Sequence, residues 1–80
     1  MIECFIVVHR NHAEGMDAYG FLNEDAAKKS VNDDVDTVVK SLMEAGHKPT
    51  VLRYAPYSVG VYAAGGNIYY EWNIIISNVL

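Results

Sequence analysis

The residues with the greatest potential for chemistry lie just after the first apolar segment of the chain. His9 and His12 are three positions apart, and Glu14 follows two residues later. Imidazole and carboxylate groups are typical zinc ligands, so this cluster is a candidate metal centre. However, the spacing matches no recurrent zinc motif, and the positive charge of Arg10 lies between the two histidines. The pattern therefore favours a solvated hairpin loop over a metal site.

Two other features resemble reactive sites in composition alone. Cys4 is the only cysteine of the chain, and a thiol nucleophile needs a base and electropositive surroundings. It lies instead between Glu3 and Phe5 in an apolar run, which favours packing. Residues 65–67 (Gly-Gly-Asn) resemble a phosphate loop, but such a loop precedes a helix and usually contains a lysine. A strand pattern follows them here, which predicts a hairpin turn.

The composition favours a soluble binding domain without a cofactor. An 80-residue chain buries only about 60–65% of its unfolded surface, so it rarely builds both a core and a catalytic pocket. We therefore expect no enzyme. The net charge of −4 disfavours direct nucleic-acid binding, which depends on neutralising phosphates. No signal peptide begins at Met1 and no apolar run reaches about 18–20 residues, so we expect a cytoplasmic protein without a membrane span.

The strongest local signal is that of a helix over residues 24–45. Asn23 is a favourable N-cap, and Gly46 is favourable just after the last turn. Residues 32–34 (Asn-Asp-Asp) favour a break, because these side chains compete for backbone hydrogen bonds. The apolar stripe keeps its phase across them, so one continuous helix is the preferred interpretation. The stripe comprises Ala27, Val31, Val35, Val38 and Leu42.

Strand patterns flank this helix on both sides. Period-two alternation predicts two strands before it and three after it, in the order β-β-α-β-β-β. The expected fold is α+β, with an antiparallel sheet of four to five strands and one long helix packed on one face. It forms a single domain over residues 1–80. The predicted strands cover residues 2–9, 16–22, 50–54, 57–64 and 68–77.

The apolar surface of this sheet exceeds what one helix can cover. In the last strand, Trp72 and Ile74 share the face expected to meet the helix, while Tyr69 and Ile75 share the other. Large exposed apolar patches mark interfaces, where tyrosine is enriched, so we expect a homo-oligomer and favour a dimer. The alternative is a solvent-facing sheet decorated by tyrosines. The predicted interface residues are Phe5, Val7, Tyr19, Tyr57, Tyr62, Tyr69 and Ile75.

Two further modes of binding follow from the same pattern. The last strand lacks the lysines and prolines that protect sheet edges, so it could pair with a second copy. A few cationic side chains near strand ends are expected to cluster at one rim and hold a small anionic ligand. These cations are Arg10, His12, Lys48 and Arg53.

Three segments carry a resemblance to a known class of proteins. They are FIVVH at residues 5–9, YGFLNEDAA at residues 19–27 and YEWNI at residues 70–74. A strand pair leading into an acidic, alanine-rich helix start and a closing aromatic strand resembles small uncharacterised α+β accessory proteins encoded by phages. The resemblance implies an accessory or anti-defence factor in the host cytoplasm, which inhibits a host protein or sequesters a small ligand. It transfers no catalytic or binding residue.

Two alternatives from other classes remain. Residues 23–46 contain six acidic residues and three lysines, so the helix could form the surface of an acidic DNA mimic or nuclease inhibitor. The second alternative is a small metal-dependent enzyme with its metal at His9 and His12. The acidic residues of the first alternative are Glu24, Asp25, Asp33, Asp34 and Asp36.

Overall fold

A computed structural model describes residues 2–13, 15–55 and 57–79 of the chain. They form one helix and five strands in the expected order β-β-α-β-β-β. The α+β prediction is therefore confirmed. The elements are β1 (Ile2–Asn11), β2 (Gly15–Phe21), α1 (Glu24–Glu44), β3 (Thr50–Ala55), β4 (Ser58–Ala63) and β5 (Ile68–Val79).

The five strands form one antiparallel sheet in the order β2-β1-β5-β4-β3. The last strand, β5, is therefore central, because it pairs with β1 on one side and β4 on the other. The expectation that β5 forms an exposed edge was wrong, since its backbone groups are already bonded on both sides. The two edges of the sheet are β2 and β3.

Local signals fix both ends of α1. The Asn23 side chain accepts a hydrogen bond from the Ala26 N–H at 3.1 Å, as an N-cap should. At the other end Gly46 has a φ of 89°. Two backbone hydrogen bonds close the helix there: the Gly46 N–H donates to Met43 O at 3.0 Å, and the His47 N–H donates to Leu42 O at 2.9 Å. Between these ends the helix is continuous, as predicted.

Glycines also make the turn between β4 and β5. A short 3₁₀ segment, Ala64–Gly66, connects the two strands, and both of its glycines have a positive φ. This backbone region is readily open only to glycine, so the predicted hairpin turn at residues 65–67 is confirmed.

The core lies between α1 and one face of the sheet, where Trp72 and Ile74 meet the helix as predicted. Phe5 and Val7 share this face and are only 9% and 0% exposed. Their predicted place on the uncovered face was therefore wrong. The reason is register: Val7 lies directly opposite Ile74, and directly opposed residues of antiparallel strands share a face.

Two tyrosines connect the helix to the sheet through hydrogen bonds. Tyr19 on β2 donates a hydrogen bond from its hydroxyl to Asp34 Oδ2 at 2.9 Å. Tyr57, just before β4, donates to Glu24 in the first helical turn. Both had been expected on the uncovered face, but they lie on the helix side because Tyr19 is in register with Val7, and Tyr57 packs against the same core.

The helix carries no sign of a membrane span. Within the described ranges, no helix combines the length and the apolar character that crossing a bilayer requires. The helix instead has one buried face, formed by Ala27, Val31, Val35 and Leu42.

Neighbouring helical residues provide a test of this packing. Leu42 is 7% exposed and Met43 is 62% exposed. We expect Leu42→Ala to lower the free energy of unfolding by about 2–5 kcal/mol, because it leaves a cavity under the helix. Met43→Ala should change it by less than about 0.5 kcal/mol. Urea denaturation of both variants measures the difference, and equal effects would contradict the assigned helix face.

Candidate functional site: the uncovered face of the sheet

The face of the sheet opposite α1 is called the open face here. Among the described residues, no second layer of helix or strand covers it. Its register is set by the pairs Ile6 with Ile75 and Arg10 with Glu71. One half of this face is mainly apolar, although Ser77 and Asn73 also lie on it, and the other is mainly polar and aromatic, with the exposed Leu52 beside it.

The apolar half is called the apolar strip. Ile2 and Ile75 are 57% and 52% exposed, although both occur in paired strands. Burying a whole isoleucine side chain contributes about 1.5–3 kcal/mol of free energy, so covering the exposed half of each of these residues would contribute roughly 1 kcal/mol more. The apolar strip therefore gains from a covering partner. It consists of Ile2, Cys4, Ile6, Val8 and Ile75.

The other half is called the tyrosine cluster. Hydrogen bonds connect four of its five members across four strands, and Tyr69 contacts Arg10 through its ring. The Tyr54 hydroxyl donates to the Tyr62 hydroxyl oxygen at 3.0 Å, and Tyr62 donates to Glu71 Oε2 at 3.1 Å. The Nε of Arg10 donates to Glu71 Oε1 at 2.7 Å. The carboxylate is thus held from both sides. The cluster comprises Arg10, Tyr54, Tyr62, Tyr69 and Glu71.

Hydrogen bonds shift the pKa values of two members of the cluster. The hydrogen bond with Tyr54, followed by burial and the bond to Glu71, raises the pKa of Tyr62 above that of an ordinary tyrosine. The hydrogen bond and charge of Glu71 raise the pKa of Arg10. An ordinary tyrosine is neutral and an ordinary arginine is charged at neutral pH, and both shifts favour these forms, so the charge of Arg10 offsets that of the Glu71 carboxylate.

Gly60 makes room for this arrangement. A Cβ atom built on Gly60 would lie 2.5 Å from the Tyr62 hydroxyl oxygen and 2.6 Å from its ring. The phenol therefore lies across the β4 backbone instead of standing away from the sheet. Any larger residue at this position would displace it.

Two of the four predicted rim cations converge on one aromatic ring. The Arg10 guanidinium carbon lies 5.8 Å from the centre of the Tyr69 ring, and the His12 ring lies 6.0 Å from it. Lys48 lies before β3, and Arg53 is in register with the buried Val59, on the helix side of the sheet. Arg10 and Arg53 thus lie on opposite faces, and the expected single rim of four cations is not formed.

The candidate metal ligands are engaged elsewhere. His9 Nδ1 lies 3.0 Å from the carbonyl oxygen of Glu71, and its ring stacks on Trp72 at 4.7 Å on the helix side. His12 Nδ1 lies 3.2 Å from the carbonyl oxygen of Tyr69 at the strand end. Glu14 lies outside the described residues. Within the described part of the chain, no three potential metal ligands converge and no cavity is found.

The acidic residues of the helix have partners within the chain. Asp33 Oδ2 pairs with Lys29 at 2.7 Å, which raises the pKa of that lysine. Glu24 accepts from Tyr57 and lies 3.8 Å from Lys28, while Asp34 accepts from Tyr19. Three of the five acidic residues considered for DNA mimicry, Glu24, Asp33 and Asp34, therefore already interact with other side chains of the chain.

Charge is distributed unequally between the two sides of the molecule. Of the charged residues in the described ranges, only Arg10 and Glu71 lie on the open face, and they neutralise each other. The others lie on α1, in the loop that follows it, or on the helix side of the sheet. The helix side therefore carries the negative charge, and the open face is neutral.

Comparison with known proteins adds no relative to this picture. The chain matches no protein-family model, and comparison with curated proteins and with solved structures gives no significant match.

The contact between Tyr19 and Asp34 predicts a pH effect. Burial, followed by the bond to Asp34, raises the pKa of Tyr19 to about 12 from an ordinary value of 10.0. The folded state thus holds this proton more tightly, and its contribution to stability is present below pH 10.0 and lost as the pH rises towards about 12. Phenolate absorbance of the wild type and of Tyr19→Phe checks this. An ordinary pKa for Tyr19 would contradict the contact.

Proposed function

We propose that the protein is a small non-catalytic binding protein that acts as a homodimer, with the open faces of two copies packed together. The observation that carries this proposal is the apolar strip, which lies uncovered on a face without net charge. Contiguous exposed apolar surface of this kind marks an interface.

The available area is sufficient for such a contact. Strands rise about 3.4 Å per residue and lie about 4.8 Å apart, so the strand residues of this sheet pave about 650 Å². A stable interface of standard size buries about 800 Å² per partner, and side-chain relief makes accessible surface larger than the paved area. The whole open face is therefore needed to reach the standard size.

Charge favours a second copy as the occupant. Two open faces meet without repulsion, because each carries only the internal pair of Arg10 and Glu71. The negatively charged helices remain on the two outer surfaces, where water screens them. A strongly basic partner would instead be attracted to the helix side.

The contact would be a two-fold, sheet-on-sheet packing. In such packing the inner faces lie about 10 Å apart and their side chains interdigitate. Because the same patch is used by both copies, residues near the axis meet their own equivalents. Ile6 and Ile75, which are directly opposed in the sheet, lie in the middle of the apolar strip and are the expected centre.

The biological role that we propose is stoichiometric binding. The resemblance to small phage-encoded accessory proteins supports a factor that inhibits a host protein or sequesters a small ligand in the host cytoplasm.

Light scattering of the purified protein tests the dimer. We expect a mass of twice 8.9 kDa for the wild type and a monomer for Ile75→Glu, because two carboxylates would meet near the axis without a partner. Met43→Glu is the matched control, since Met43 is 62% exposed on the helix and should leave the dimer intact. Circular dichroism confirms that both variants are folded.

Two results would overturn the proposal. The first is a wild-type monomer at about 100 μM, a concentration at which even a micromolar dimer would be populated. The second is a dimer that persists in Ile75→Glu, which would move the contact away from the open face, for example to the edge strand β3.

A further inference from the structure

The tyrosine cluster has properties that the apolar strip lacks, and these point to a small ligand. We propose that it binds a neutral carbohydrate, with a sugar ring stacked on the phenol rings of the cluster and its hydroxyl groups held by Arg10 and Glu71. The cluster lies beside the apolar strip on the open face. A second copy packed on that face would cover it, so the sugar binds a subunit whose open face is free, which goes beyond the proposed dimer.

The cluster is preorganised before any ligand arrives. Hydrogen bonds join four of its five members: Tyr54 to Tyr62, Tyr62 to Glu71, and Arg10 to Glu71. The sheet fixes the backbone on four strands, and Gly60 keeps the Tyr62 ring lying along the surface. A preorganised site loses little conformational entropy on binding, which is what a weakly binding ligand requires.

Hydrogen-bonding capacity remains on the outer side of the cluster. Among the described residues, Arg10 contacts Glu71 through its Nε, its two terminal nitrogens have no hydrogen-bond partner, and its side chain is 57% exposed. Each oxygen of Glu71 accepts one bond and has a second lone pair. Adjacent donors and acceptors suit a vicinal diol, because each sugar hydroxyl both donates and accepts.

The charge balance selects against an ionic ligand. An anion drawn to Arg10 is repelled by Glu71, whose carboxylate oxygen lies 2.7 Å from the arginine Nε. A cation drawn to Glu71 is repelled by Arg10 in the same way. The chain also has a net charge of −4, which opposes phosphate-bearing ligands such as nucleotides. An uncharged, hydroxyl-rich ligand incurs neither repulsion.

The flat shape of the site suits a stacked ring. Tyr62 on β4 and Tyr69 on β5 are directly opposed in the register, about 5 Å apart at their Cβ atoms, and Tyr54 on β3 is 62% exposed. The negative face of an aromatic ring attracts the slightly positive C–H groups of a sugar. Within the described residues no enclosed cavity is found, so the sugar would lie across an open platform.

The test uses nuclear magnetic resonance on the full-length chain with the Ile75→Glu substitution, which is expected to leave the open face uncovered. The further substitutions are made in the same chain. The probes are the methyl glycosides of glucose, galactose and N-acetylglucosamine, with inorganic phosphate and adenosine monophosphate as ionic comparisons. We expect at least one glycoside to shift the Arg10 Nε–H and the amides of β4 and β5, with saturation transfer to the sugar C–H protons. The ionic probes should produce no such shifts.

Two variants locate the site. Gly60→Ala keeps every functional group, but its methyl group displaces the Tyr62 ring, so we expect glycoside binding to weaken at least tenfold. Arg10→Gln removes the guanidinium donors and should weaken glycoside binding similarly. This effect does not depend on displacing the Tyr62 ring. Tyr19→Phe, which removes a phenol hydroxyl on the helix side, is the matched control and should bind as the Ile75→Glu chain alone does.

Three outcomes would overturn the inference. The first is the absence of binding by all three glycosides at about 50 mM, where even a millimolar site would be saturated. The second is binding of phosphate or adenosine monophosphate in their place, and the third is glycoside binding that survives both Gly60→Ala and Arg10→Gln. Failure of this inference is distinguishable from failure of the proposed function. A dimeric wild type together with an Ile75→Glu chain that binds no glycoside overturns only the inference. A monomeric wild type together with glycoside binding overturns only the dimer.

Discussion

The pairing of β1 with β5 is the constraint on which the rest of the structure depends. It joins the first hairpin to the last three strands through residues far apart in the chain, and its register brings Val7 opposite Ile74 and Ile6 opposite Ile75. The first pair builds the core under the helix, and the second builds the apolar strip. A shift by one residue would exchange the two faces, so a single register decides both stability and binding surface.

This register also divides the tyrosines into two groups with different tasks. Tyr19 and Tyr57 donate to acidic residues of the helix and hold the two layers together. Tyr62 and Tyr69 lie on the other face, around the ion pair of Arg10 and Glu71. Sequence alone treats these residues as equivalent aromatic contacts. Their difference comes from which side of a strand each occupies, and therefore from long-range pairing.

Local signals predicted the elements, whereas non-local geometry decided the faces. The cap at Asn23, the turn at Gly46 and the apolar stripe specify α1 within a few residues, because each acts within one or two turns. The alternation in β1 separates its two faces but does not reveal which one meets the helix. The strand order, which makes β5 central, depends on the pairing of β1 with β5, whose partners are roughly sixty or more residues apart in the chain. No local sequence pattern indicates it. The sequence did contain one signal for the tyrosine cluster: Glu71 is the single charge among the last twenty-seven residues.

The presence of Glu71 in such a strand accounts for the division of the open face. A carboxylate in a central strand, only 25% exposed, is destabilising unless its oxygens are satisfied. Arg10 and Tyr62 supply those bonds, and Gly60 gives Tyr62 the space to reach. These requirements occupy one half of the face with fixed polar and aromatic groups, which leaves the other half to aliphatic side chains. An entirely apolar face would permit sliding and open-ended association, whereas a polar half that must keep its hydrogen bonds restricts a second copy to few orientations.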